Sequence, residues 1–372
     1  MQDKLIMTPR EQSWLRLHLT PGLGRVGIIR LMEAFGSPEA ALEASPREWK
    51  RRANVRGAVA EALPGEKSPL FLHTLEHLSL LAVNIVSMWD EDRYPALLRS
   101  IYDPPALLYV RGCLPRQPGL AVVGARQASP ASQRLTHTIC RQIAAKGIAI
   151  VSGLARGIDR AAHEGALAAN GITAAVLGCG IDRIYPRDNE HLFQAIPEQG
   201  GAILSEYPPD TPPLAGHFPG RNRIISGMCQ GVLVVEAAAR SGSLITAEFA
   251  LDQGREVFAI PGPAYSPASW GTNQLLKDGA RLVTESADIL DVLLPGLAGN
   301  LAVPEDDPLE KQLSGQPLKV YRELQDCPLH IDELAGKCGL TPMEVSAILL
   351  HLELANGAIQ LPGMRFVRKR SS

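Results

Sequence analysis

The feature that most constrains this chain is a series of short, almost unbroken apolar runs. They are Leu120–Gly124, Ile148–Ser152, Thr173–Gly178, Ala202–Ser205, Val232–Glu236, Val257–Pro261 and Ala280–Val283. A strand that is apolar throughout, instead of at alternate positions, is covered on both faces. Helical stretches separate the runs, which predicts a parallel sheet with helices on each side. The expected fold class is α/β, an extended Rossmann-like doubly wound sheet over residues 86–295.

The flanks read differently. Residues 1–85 carry apolar positions at helical spacing, in Trp14, Leu15, Leu17 and Leu19 and again in Ile28, Ile29, Leu31 and Met32. Between these groups Thr20-Pro21-Gly22-Leu23-Gly24 stops one helix and starts the next. This turn is either a plain helical corner or a hairpin whose amides face a phosphate, with Arg25 and Arg30 as the contacts. Residues 296–316 read as a linker around Pro295-Gly296 and the acidic run Pro304–Pro308. In residues 317–372, helices are expected at 317–325, 330–337 and 342–355, with strands at Ala358–Leu361 and Arg365–Val367. Thr341, Pro342 and Glu344 form the capping box of the third helix. That order is a winged helix.

Composition narrows the class. The 372 residues are 45% hydrophobic and 20% charged, which fits a globular protein. No apolar run approaches the roughly 20 residues a membrane helix needs, and the N-terminal stretch lacks a signal-peptide core, so the expected location is the cytoplasm. The six cysteines, at 113, 140, 179, 229, 327 and 338, form no CxxC pair and are expected as free, buried thiols. Neither a metal nor a cofactor is expected. The net charge of −2 means that any nucleic-acid site must be a local patch.

Ligands of an open parallel sheet bind at the carboxyl ends of its strands. Here those ends carry Gly124 and Arg126; Ser152, Gly153 and Arg156; Gly178-Cys179-Gly180 and Arg187; Arg221, Asn222 and Arg223; and Ser241, Gly242, Ser243 and Thr246. Glycine lets a polyanion approach the backbone, helix N-termini offer free N–H groups, and arginine pairs with phosphate. The first loop lacks the Gly-x-Gly-x-x-Gly fingerprint, and there is no Walker A sequence. The pattern therefore favours a phosphate chain over a dinucleotide. Tyr185, Phe218 and Tyr265 are candidates for stacking on bases. Asp159 and His163, four apart on a helix, could do acid–base work, but a helix-capping Asp159 is favoured and no catalytic residue is assigned.

On these residues the chain resembles the DNA-processing protein A family (DprA, also called Smf). The stretches that carry the likeness include Tyr94-Pro95, Asp103-Pro104-Pro105, Val123–Arg126, Ser152–Asp159, Ala162-His163, Phe218–Ile225, Ser241–Ala247 and Pro261-Gly262. The resemblance implies a Rossmann core that binds single-stranded DNA, forms a homodimer, protects incoming strands and loads the RecA recombinase in natural transformation. It implies that Arg126 lies in the basic pocket and that Arg187 stands where many relatives carry lysine. It also implies a sterile-alpha-motif-like N-terminal domain. The third helix of the winged helix is mostly apolar with Glu344 and Glu353, which suits packing or protein contact better than groove reading. Arg365, Arg368, Lys369 and Arg370 would form a weak DNA-binding tail. Two alternatives stay open. One is a nucleotide enzyme of the phosphoribohydrolase type using Glu248, although its glycine run is missing here. The other is a transcription factor using the winged helix.

Overall fold

The computed structural model describes residues 7–294, 313–324, 329–355 and 357–369. The described residues up to 294 form one compact unit, and those from 313 onward form another. The linker expected at 296–316 falls mostly outside the described residues, as do Cys327 and Arg370; Gly315 and Gln316 already belong to a helix. Among the described residues no helix is long and apolar enough to cross a membrane.

The first unit opens with helices α1 (Pro9–His18), α2 (Arg25–Phe35), α3 (Pro38–Glu43), α4 (Pro46–Ala53), α5 (Gly57–Glu61) and α6 (Pro69–Leu80). Their boundaries are local chemistry. Thr8 and Ser45 each close a capping box with the glutamate three residues on, and proline occupies the first helical position of α1 and α4. These helices share one apolar core with the sheet, in which Trp14, Leu31 and Leu78 join Ile85, Tyr109 and Leu177. The boundary expected at residue 85 falls inside a strand.

That sheet has nine strands: β1 (Val83–Ser87), β2 (Leu107–Gly112), β3 (Gly119–Val123), β4 (Ile150–Ser152), β5 (Thr173–Leu177), β6 (Ala202–Ser205), β7 (Cys229–Val234), β8 (Glu256–Ala259) and β9 (Arg281–Leu282). Their order is β1-β2-β6-β5-β4-β3-β7-β8-β9. The run from β6 to β9 is parallel, whereas β1 and β2 add an antiparallel extension through β6. Both faces are covered, as the apolar runs require. Ala175 and Leu177 of β5 enter the core shared with the N-terminal helices, while Ala174 and Val176 enter the opposite one. β9 departs from expectation, being a two-residue, exposed edge. β1 and β2 were not among the expected strands.

The connecting helices are α7 (Ala96–Arg99), α8 (Pro130–Ala144), α9 (Ile158–Ala168), α10 (Glu190–Glu198), α11 (His217–Gly227), α12 (Gly242–Asp252), α13 (Trp270–Lys277) and α14 (Ala287–Leu293). Chain order reverses between β3 and β7, and this switch point opens a crevice at the carboxyl edge.

The second unit contains α15 (Gly315–Glu323), α16 (Ile331–Cys338), α17 (Pro342–Leu354) and a three-stranded sheet of β10 (Leu329–His330), β11 (Ala358–Leu361) and β12 (Arg365–Arg368). Its core gathers Val320, Tyr321, Leu334, Val345, Leu349 and Phe366. The Thr341–Glu344 capping box is present. This is the winged helix read from the sequence, with β10 as an extra strand.

Candidate nucleic-acid interface

Arg126 follows β3 and is exposed. Its guanidinium lies 5.4 Å from the centroid of the Phe218 ring, at the start of α11. The Tyr185 ring centroid lies 5.9 Å from that of Phe218, and Tyr185 is 43% exposed. Arg187, two residues beyond Tyr185, is exposed at the start of a short 3-10 turn, Arg187–Asn189. Neither Arg126 nor Arg187 has an ion-pair partner among the described residues. One unpaired guanidinium, Arg126, thus stands beside a pair of partly open aromatic rings, and a second, Arg187, is exposed two residues from Tyr185; the four residues come from three separate parts of the sequence.

The position of Arg126 is set from beneath. Gly157 has φ +74°, in the region that favours glycine, and an added Cβ would collide with the carbonyl oxygens of Ala125 and Arg126. The Ile158 amide donates to the Ala125 carbonyl at 3.2 Å. Asn189, fully buried, donates to the carbonyls of Leu154 at 2.9 Å and Ala155 at 3.1 Å. The loops after β3, β4 and β5 therefore brace one another.

Other predicted residues turn inward. Arg221 is 5% exposed and donates to the carbonyls of Gly153 and Val176. Burial pushes its pKa down to about 10, against the pull of Asp159, so it is still a cation at neutral pH. It packs so closely on Gly153 that a side chain there would strike the guanidinium. Gly124 is likewise closed by Ile158. These two glycines make room for protein, which corrects the reading that they admit a polyanion. Arg223, 7% exposed, pairs with Asp103 at 3.0 Å and Glu206 at 2.7 Å. Ser152 is buried and donates to the Val122 carbonyl at 2.6 Å. Arg221 and Arg223 are struts beneath the rim, because a buried guanidinium must spend its donors on internal acceptors.

The Asp159 carboxylate accepts from the amides of Gly153 and Ala155, both at 3.2 Å. Burial pushes this carboxyl upward, and Arg221 with the two amides pulls it back. Asp159 thus occupies two amides of the β4–α9 loop. It lies in the first turn of α9, whose N-cap is Gly157 with no side-chain cap, so the expected capping of the helix by Asp159 is corrected to a brace of the loop before it. His163 is fully buried, bonded through Nδ1 to Thr173 Oγ1 at 2.7 Å, and burial lowers its pKa to about 3. It is a neutral core residue. Glu236, also buried, accepts from the Ser129 amide and hydroxyl at 3.1 and 3.0 Å.

Across the crevice, α12 begins at Ser241-Gly242-Ser243. Ser241 caps its N-terminus, and Asn222 donates to the Gly242 carbonyl at 3.2 Å. Gly242 is exposed with open space at its Cα, unlike Gly124 and Gly153. Ser243 and Thr246 are buried. Arg156 is exposed but paired with Asp188 at 2.6 Å. Tyr265 is fully exposed, whereas Glu248 is exposed on α12. Sequence reading gave Asp103, Glu206 and Glu236 no place in the site, although they hold Arg223 and the α8 cap. Their signal was only that each sits beside a strand end or a proline turn.

Comparison with known proteins places these features. Residues 85–294 match the family model described as DNA recombination-mediator protein A, residues 304–364 the DprA winged helix domain, and residues 9–63 the DprA-like N-terminal HHH domain. Protein Smf of Escherichia coli is 46% identical over 286 residues, which is 76% of each chain. The DNA processing protein DprA of Streptococcus pneumoniae is 46% identical over 54% of this chain and 71% of its own. The crystal structure of that pneumococcal protein superposes with a TM-score of 0.66 at 36% identity, covering 77% of this chain and 99% of that one.

Proposed function

Since the chain belongs to the DNA recombination-mediator protein A family, known as DprA and Smf, we propose that it is a non-catalytic DNA-processing protein that holds single-stranded DNA on the carboxyl edge of its central sheet. One observation carries this reading: Arg126 stands without an ion-pair partner beside the Phe218–Tyr185 ring pair, with Arg187 exposed two residues from Tyr185. Guanidinium groups take backbone phosphates, and aromatic rings stack bases of any sequence. The open N-terminus of α12 at Ser241 and Gly242, with Asn222, extends the phosphate contacts across the crevice. Arg156 joins by exchanging Asp188 for phosphate. Gly124, Ser152, Gly153, Arg221, Arg223, Ser243 and Thr246 belong to this site as supports.

The bound strand is protected and handed to RecA during transformation, in the cytoplasm. The protein acts as a homodimer; β9 leaves an open sheet edge with exposed Leu282, a surface that a second copy can cover. The test is titration of labelled oligo-dT at several salt concentrations. About four phosphate contacts predict a log–log slope of roughly −3, from about −0.7 per phosphate on a single strand. An affinity independent of salt contradicts the reading.

A further inference from the structure

The N-terminal helices carry a cationic face that this reading does not use. On α4, Trp49 and Ala53 are buried, while Arg47, Lys50 and Arg51, spaced three and four apart, are exposed on one side. Arg56 follows, exposed, at the start of α5. Between Arg47 and Arg56 the only carboxylate is Glu48, in a chain whose net charge is −2. Arg47, Lys50, Arg51 and Arg56 have no ion-pair partner among the described residues. Arg52, also exposed, differs in being engaged: it donates to the Ala34 carbonyl and lies 4.3 Å over the Phe35 ring.

This face joins the DNA edge through a chain of contacts. Val59 packs beside Gly22 and Val55 beside Gly27, which places Arg56 next to the helical hairpin at residues 20–24. The first turn of α2 has no side-chain cap. Arg25, its first residue, pairs with Asp103; Asp103 pairs with Arg223 of α11; Arg223 pairs with Glu206, which directly follows β6. Phe218, beneath Arg126, precedes Arg223 by five positions on the same helix, about 7 Å along its axis. The two acids on this route are each neutralised by an arginine.

We infer that Arg47, Lys50, Arg51 and Arg56 form a second contact for the phosphate backbone, entered by the same single strand after it leaves the Arg126 cluster. That the polyanion is DNA rests on the function proposed above. The geometry predicts a dependence on strand length. An oligonucleotide of about six nucleotides is held at the Arg126 cluster alone, whereas one of about thirty reaches both surfaces.

The test uses the full chain and two lengths of oligo-dT. The triple variant Arg47→Ala, Lys50→Ala, Arg51→Ala should bind the long strand at least about tenfold more weakly at moderate salt. Its log–log salt slope should fall in magnitude by about 2. Binding of the short strand and the thermal midpoint should stay at wild-type values. Unchanged long-strand binding overturns the inference, and so does equal weakening of both lengths, which would mark a diffuse field instead of a path. Arg126→Ala separates this inference from the proposed function. If it weakens neither length while the triple variant weakens the long one, the Arg126 site fails and the N-terminal surface stands.

Discussion

Arg126 and Arg221 are both arginines at strand ends, and burial separates their roles. Arg221 donates to backbone carbonyls and faces Asp159 in the interior. Its removal leaves the buried Gly153 and Val176 carbonyls without this donor and Asp159 without its cationic neighbour, and each buried polar group left unsatisfied costs about 1–3 kcal/mol. Arg221→Met should therefore lower the urea midpoint severely; an unchanged midpoint would refute the strut role. His163 gives a second prediction. Its pKa is about 3 in the fold and 6.5 in the open chain, so the unfolded state takes up the proton first. The stability that neutral His163 contributes is complete above about pH 6.5 and is lost progressively as pH falls below it. At pH 5 the loss is about 2 kcal/mol. His163→Gln should show a smaller drop in unfolding free energy between pH 7 and pH 5 than the wild type does. Equal drops would mean that His163 titrates normally.

At the scale of elements, the rim works because its loops hold one another. Gly157 sits against the Ala125 and Arg126 carbonyls, and Asn189 holds the β4–α9 loop. Gly157→Ala combines an unfavourable φ with a backbone collision, so it should cost more than about 1 kcal/mol. It should also weaken DNA binding although residue 157 offers no group to DNA. Wild-type affinity in a destabilised Gly157→Ala protein would show that the position of Arg126 does not depend on this loop. Much of the element level was legible in the sequence. Fully apolar runs identified six buried strands and their carboxyl edge, and capping chemistry marked α17, whereas the equivalent boxes of α1 and α4 went unread. β1 and β2 were not legible, because Leu107–Gly112 closes on Arg111-Gly112 and Asn84 interrupts β1, so neither run stands out as a buried strand. Which arginines face outward was also hidden, since burial depends on partners such as Asp103 and Asp159 that lie far apart in the chain.

At the scale of the molecule, the winged helix builds its core from residues separate from those of the two cores on the faces of the nine-stranded sheet. Such a chain should not melt as one two-state unit. Calorimetry should give a van't Hoff enthalpy below the calorimetric enthalpy; equality would show that the units unfold together. The sheet unit gathers loops distant in sequence at one edge, where struts fix the arginines that remain free. The most direct test is oligo-dT binding by wild type and Arg126→Ala at two salt concentrations, with thermal midpoints measured on the same samples. The account predicts that Arg126→Ala loses at least about tenfold in affinity at low salt, with a shallower salt dependence and an unchanged midpoint. Wild-type affinity and salt dependence in Arg126→Ala would contradict it.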